Sequence, residues 1–410
     1  MNRYIIIGNG TAAVGCIEGI RSNDSEGSII VISQENHAVY CRPLISYFLE
    51  DRTNIEKMNY RASDFYQKSG CTVIYGKTAV KIDTVAKQVF LDDATALPYT
   101  KLCVTTGSSP FIPNFEGIEN VNNKFTFMTI DDAIALKKTI TKESKVLIIG
   151  AGLIGLKCAE GLHDKAGSIT VCDLADRVLS SILDNDCAAI MQKHLEENNI
   201  SFLLRDTAVK FEKNTAIMKS GKKINFDILV LAVGVRPNTD IIKNTSGKIG
   251  RGIIVNEFMK TSLTDIYAAG DCTESLDASS ESMKIMALMP NAYMQGHTAG
   301  VNMGGGNRKL NNMIPMNSIG FFGLHAMTAG SCFGEYIEEN NEGYVKRFYI
   351  NNGYLTGFMI VGKTERAGIY TSLIREKTPI SEINFDMLKK VATSAAFSTE
   401  IRKKKFGGVI

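Results

Sequence analysis

Two sets of glycines carry the chemistry this sequence offers. Gly150, Gly152 and Gly155 form G-x-G-x-x-G directly after a β-branched run at 146–149. A second such run at 168–172 ends on Asp173, eighteen positions after Gly155. The first glycine of such a set allows a tight strand-to-helix turn, the second lets a pyrophosphate approach the backbone, and the third lets helix and strand pack closely. Leu153 and Ile154 open the helix, whose partly positive N-terminus attracts phosphate. An acid about 20 residues further on is placed for a ribose 2′-hydroxyl. Strand, triplet, helix, strand and acid in that order predict a dinucleotide site, which the triplet alone would not.

The chain opens on the same device. An apolar run at 5–7 leads into Gly8-Asn9-Gly10-Thr11-Ala12-Ala13, a G-x-G-x-x-A turn, then a helical stretch to Arg21 and a strand at 28–32. Glu35, twenty-two positions after Ala13, is the candidate ribose acid here. Two further residues have types that do chemistry. Cys41 stands beside Arg42, a cation that can lower a thiol pKa. Lys157, two places after Gly155, falls in the first turn of the second helix.

At 410 residues the chain is too long for one ordinary core. Forty-six basic and 43 acidic residues leave a net charge of +3, so no nucleic acid or other polyanion is implied. No stretch approaches the roughly 18 apolar residues of a membrane span, and the short apolar run at 4–7 reads as a first strand, not a signal peptide. The nine cysteines include no C-x-x-C pair, which argues against a zinc or iron–sulfur site and leaves no metal expected. Scattered cysteines without an export signal point to a reducing cytoplasm. Late in the chain the pattern changes to short strands, at 318–322, 344–350 and 355–361, the last two joined by the hairpin signal Asn351-Asn352-Gly353-Tyr354. A helix is expected at 367–375, and the basic stretch from Arg402 to Gly408 reads as a solvated tail.

Three more landmarks are T-T-G-S-S-P at 105–110, V-L-A-V-G-V-R-P-N-T at 230–239 and T-S-L-T-D-I-Y-A-A-G-D-C at 261–272. With the two glycine turns, these make the chain from Met1 to about Arg375 resemble the FAD- and NAD-binding pyridine nucleotide–disulfide oxidoreductase family. Y-C-R-P-L-I-S-Y-F-L at 40–49 resembles the branch that contains NADH:rubredoxin oxidoreductases and the flavin part of NADH-nitrite reductases.

The resemblance implies an α/β architecture: two Rossmann-like dinucleotide-binding domains and a C-terminal α+β domain. The FAD domain would be discontinuous, 1–114 and 241–306, with the NAD domain at 115–240. Residues 307–410 would form an interface domain with the basic tail, in a homodimer. FAD would be held by Gly8, Gly10, Thr11, Ala12, Ala13, Glu35, Arg42, Pro43, Ala79, Thr106, Gly107 and Asp271. The helix opened by Met289 and Pro290 would face the flavin. NADH would be held by Gly150, Gly152, Leu153, Ile154, Gly155, Asp173, Leu174 and Gly234. NADH is favoured over NADPH because Asp173 would repel a 2′-phosphate and Leu174, not a cation, follows it, although Arg177 is near.

The implied activity is hydride transfer from NADH to FAD, then electron delivery to a small carrier such as rubredoxin. Two alternatives stand beside it. In one, Cys41 is the active thiol of an NADH oxidase, peroxidase or coenzyme A disulfide reductase. Those relatives usually show cysteine followed by glycine, not by Arg42 and Pro43, and a small residue packed near the flavin is the plainer role. In the other, the chain is the flavin subunit of a larger redox complex. Lys157 stands where the family usually has glutamate, close to where nicotinamide meets flavin. In several relatives that glutamate faces a lysine in the segment matching 44–48, which here offers Tyr47 and no cation. Lys157 would then supply the positive charge from the other side of the cleft; the alternative is a surface lysine on an amphipathic helix.

Overall fold

The β-branched runs before the two glycine turns are the central strands of two parallel sheets. The computed structural model describes residues 1–341 and 343–406. In it Arg3–Ile7 lies between Ser28–Ser33 and Lys101–Val104, with Cys71–Tyr75 and Ile266–Ala268 at the edges. The second sheet repeats the plan. Lys145–Ile149 lies between Ser168–Asp173 and Ile228–Leu231, flanked by Ile200–Leu204 and Lys124–Phe125. Ile5, Ile6, Leu147 and Ile148 are fully buried, as expected of parallel strands covered on both faces.

The edge strand Ile266–Ala268 joins the first sheet only after the chain has built the second. The chain passes between the sheets through two connections, Ser108–Pro110 and Val235–Pro237, which pair antiparallel. The Arg236 guanidinium sits 3.8 Å from the centre of the Phe111 ring across that pair. The three-stranded antiparallel sheet Ala79–Asp83, Gln88–Leu91 and Ala96–Pro98 is inserted between two strands of the first sheet.

Helix Thr11–Arg21 follows the first glycine turn and crosses the long helix Met289–Met303 at the closest range backbones permit. A Cβ on Gly296 would stand 1.9 Å from the Ala12 carbonyl oxygen, and one on Gly300 would stand 2.1 Å from that of Cys16. From the other side, Gly15 and Gly19 meet the backbone of Tyr293 and His297. Glycines four apart on both helices thus remove the side chains that normally set interaxial distance.

The C-terminal sheet is antiparallel, in the order Met316–Phe321, Leu324–Gly330, Tyr354–Val361, Tyr344–Asn351, Tyr336–Asn341. Asn352 (φ 49) and Gly353 (φ 78) form the tight two-residue turn that their types favour. Two strands lie beyond the sequence expectation. Leu324–Gly330 lacks clean alternation, and Tyr336–Asn341 is a mostly polar edge strand. The strand expected at 318–322 ends at Phe321, because Phe322 (φ 46) turns the hairpin. Helix Gly368–Arg375 covers the sheet with Tyr370, Leu373 and Ile374. Arg402 and Lys403 belong to a helix, Thr399–Phe406, while Gly407 and Gly408 lie outside the described residues. Arg347, 7% exposed, joins this sheet to helix Asn185–Glu197 by ion pairs with Asp184 and Asp186, and it also pairs with Glu338. Among the described residues no helix is long and apolar enough to cross a membrane.

Candidate active site

Each glycine turn answers two separate demands. Gly8 (φ 110) and Gly150 (φ 115) are required by the chain itself, since a Cβ there would lie 2.2 Å from Thr105 O and 2.3 Å from Ala232 O. Gly10 and Gly152 are different: a Cβ on either would meet nothing within 4 Å. No protein atom asks for glycine at these two positions, and the open space over the backbone fits a pyrophosphate. The helices that start there have no side-chain cap, and neither does Met289–Met303. By contrast Thr129 and Asp184 cap the helices Ile130–Thr139 and Asn185–Glu197. The uncapped N–H groups, in the turns that carry Thr11 and Ala12, Leu153 and Ile154, and Met289 and Pro290, are suited to anionic ligands. At the third position of the turns, Ala13 is fully buried, whereas a Cβ on Gly155 would stand 2.0 Å from Gly150 O.

The two candidate ribose acids are held differently. One Glu35 oxygen binds the Arg42 guanidinium, and the other accepts the Tyr40 hydroxyl at 2.7 Å. Arg42 also donates to the Tyr40 oxygen and to Met128 O, both at 3.0 Å, while Pro43 continues the helical turn Arg42–Leu44. Asp173 instead accepts main-chain N–H groups, from Ala151 at 2.7 Å and Ala175 at 2.8 Å, so it braces its own glycine turn. Leu174 is 63% exposed. The Arg177 guanidinium is engaged by Asp176, Leu183 O and Ser180 O.

Asp271 receives the Ser108 hydroxyl at 3.3 Å. Burial raises its carboxyl pKa, opposed by that hydrogen bond and by the Arg42 charge. Arg42 therefore acts on both Glu35 and Asp271, a convergence that the spacing along the chain does not reveal. Thr106 donates its hydroxyl to Asn238 O at 2.6 Å and receives the Asn238 amide on its carbonyl at 2.9 Å, which stitches the two connections together. Gly107 (φ 65) and Gly234 (φ 112) both leave open space where a Cβ would be. Gly234 and Ile154 line a small cavity with Pro110, Met128 and Val235. Ala79 is half-buried at the start of its strand.

Burial pushes the Cys41 thiol pKa up, and the Leu44 N–H is what opposes it. Arg42, the adjacent cation, is committed to Glu35, Tyr40 and Met128. Lys157 donates to Glu160 at 2.5 Å and to Gly320 O at 2.6 Å. Its ammonium lies 4.9 Å from the Phe321 ring centre and 5.7 Å from that of Tyr47. Lys157 thus lies near Tyr47, the residue that stands in the segment where several relatives carry a lysine. Glu160 and the Gly320 carbonyl were not anticipated, although Glu160, three residues on, shares the helix face.

Comparison with known proteins places the chain in a family. The family model described as pyridine nucleotide-disulphide oxidoreductase matches residues 2–296. The chain belongs to this family. It is an NAD(P)H-dependent flavoprotein oxidoreductase with FAD and NADH as its cofactors. The assimilatory nitrate reductase electron transfer subunit of Bacillus subtilis is 30% identical over 92% of the chain. The chain spans about half of that relative, 49% of its length. An NADH oxidase of Methanocaldococcus jannaschii is 31% identical over 88% of the chain and 87% of the relative. An NADH-rubredoxin oxidoreductase of Clostridium acetobutylicum is 26% identical over 90% of each. The fold is that of the reductase in a covalent putidaredoxin reductase–putidaredoxin complex, with TM-score 0.88 at 21% identity over 96% of this chain and 97% of that one.

Proposed function

We propose that this oxidoreductase carries electrons from NADH to a small redox protein of the rubredoxin kind. The observation that carries this reading is the state of Cys41. The one cation beside it in sequence, Arg42, is bound to Glu35, Tyr40 and Met128, and burial pushes the thiol pKa up, away from the thiolate. Peroxide reduction or disulfide exchange at Cys41 would need the thiolate. The relatives named for rubredoxin and for electron transfer support the same reading. FAD, when bound, would supply the chemistry that converts a hydride into electrons delivered singly or in pairs.

The chain's own residues position and exclude. The backbones at Gly10 and Gly152 receive the pyrophosphates, and Glu35 and Asp173 take the riboses. Arg42 and Asp271 flank the FAD site, and the Lys157 ammonium, ion-paired with Glu160, stands at the junction of the two sites. On this reading the FAD domain comprises 1–114 and 241–306, the NAD domain 115–240 and the interface domain 307–410, and the enzyme works as a cytoplasmic homodimer. A second reading, as the flavin-bearing part of a larger complex, is favoured by the longer electron transfer subunit that the chain matches over about half its length.

Anaerobic reduction by NADH, followed by a panel of acceptors, tests the proposal. Rubredoxin and ferricyanide should be reduced fastest. Faster turnover of peroxide, dioxygen or coenzyme A disulfide would overturn it. A stable partner recovered with the protein would favour the complex.

A further inference from the structure

The long helix Met289–Met303 does two things with two consecutive residues. Gly296 brings its backbone against Ala12, in the first turn of the helix proposed above to receive the FAD pyrophosphate. Gln295, 2% exposed, reaches a different place. Its Oε1 accepts the backbone N–H of Gly270 at 2.7 Å and lies 3.1 Å from the Thr273 hydroxyl. Its Nε2 donates to Ser275 Oγ at 3.0 Å. The amide has one workable orientation, because turning it over would set its NH2 against the Gly270 N–H, donor to donor. Gly270 (φ 85) directly precedes Asp271.

We propose that Gln295 is the positioning residue that sets Asp271 against the pyrophosphate cradle. One helical turn touches the cradle through Gly296 and holds the Gly270–Asp271 turn through Gln295. The separation between cradle and carboxylate is thereby fixed by a single rigid element. The hold is firm because a buried N–H that loses its acceptor keeps its full desolvation cost. The inference rests on the reading that Asp271 contacts bound FAD.

The test follows the release of FAD from the holoenzyme by the rise of its fluorescence on dilution. The proteins compared are the unaltered enzyme, Gln295→Met, Asp271→Ala and the double variant. Methionine fills similar space but offers the Gly270 N–H no comparable acceptor. Gln295→Met should release FAD on the order of ten- to a hundredfold faster and shift the visible spectrum of the bound flavin. In the Asp271→Ala background the same substitution should change release by less than about twofold, since nothing remains to be positioned. Equal acceleration in both backgrounds would make Gln295 a packing residue and overturn the proposal. Unchanged release from Asp271→Ala alone would remove the underlying reading of Asp271, a result distinct from the first. If Gln295→Met does not fold, Ser275→Ala frees the other end of the amide. It should give a smaller acceleration that again vanishes without Asp271, and no acceleration would count against the proposal.

Discussion

The two glycine cradles are built to one plan and anchored in different ways. Both begin with a glycine at φ near 110 pressed against a carbonyl, of Thr105 in the first and Ala232 in the second. Around the first, support comes from backbone against backbone: Ala12 and Cys16 meet the glycines of the long helix with no side chain between. Around the second, support comes largely from side chains on its own helix. Lys157 holds Gly320 O and Glu160 accepts the Phe322 N–H at 2.8 Å. The acids reverse the pattern, since Glu35 is held by side chains, one of which reaches across to Met128, whereas Asp173 is held by main-chain N–H groups of its own turn. A cofactor that stays bound needs a cradle whose walls cannot part. One that leaves at every turnover needs a site able to open. If the first cradle holds FAD and the second NADH, as proposed, the motif would choose the ligand class while the packing behind it would set how firmly the ligand is kept.

The largest expected effects break the comparison at its shared point. Gly8→Ala and Gly150→Ala each combine a left-handed φ with a backbone clash, and the conformation alone costs about 1–3 kcal/mol. Gly8→Ala should purify largely without flavin, read from the ratio of visible to ultraviolet absorbance. Gly150→Ala should keep its flavin and bind NADH on the order of a hundredfold more weakly, since about 1.4 kcal/mol is tenfold. Loss of both cofactors in either variant would mean that the two cradles are not independent.

Lys157→Met comes next. Flavin content should stay normal while reduction by NADH slows on the order of ten- to a thousandfold, in the range of losing one electrostatic stabiliser. Anaerobic rapid mixing that follows flavin bleaching measures it. An unchanged limiting rate and NADH affinity would leave Lys157 as a tether for the Gly320 carbonyl only.

A third effect concerns the acid of the second cradle. With Asp173 fixed at the turn and Arg177 occupied, the ratio of kcat/KM for NADH over NADPH should exceed about tenfold, the worth of roughly 1.4 kcal/mol. Asp173→Ala should narrow it. Steady-state kinetics with both nucleotides decides, and equal efficiency in the unaltered enzyme would overturn the assignment.

The smallest effect is expected at Cys41. Cys41→Ser should retain FAD and reduce ferricyanide within about twofold of the unaltered rate, as for a site outside the chemistry. The pH dependence has a definite sign. A raised thiol pKa keeps Cys41 protonated where an ordinary thiol, near 8.5, has begun to ionise. Alkylation by iodoacetamide, followed by mass spectrometry, should therefore stay slow at pH 8.5 and rise only at higher pH. Fast labelling at pH 7 would restore the thiol mechanism.

What the sequence determined by itself was local. β-branched runs specify buried parallel strands, and a residue forced to positive φ between strand and helix is most cheaply glycine, so both cradles and both central strands could be read directly. Asn352-Gly353 set its hairpin for the same reason. Tertiary structure alone decided which partner each polar side chain took. Arg42 could have served Cys41, its neighbour, but it is bound to Glu35, Tyr40 and Met128. Lys157 meets a carbonyl 163 positions away, and Gln295 a backbone N–H 25 positions away. The strand Leu324–Gly330 became visible only once its neighbours were in place on both sides. Such choices depend on burial and on the competition among nearby charges, and neither exists until the chain has folded.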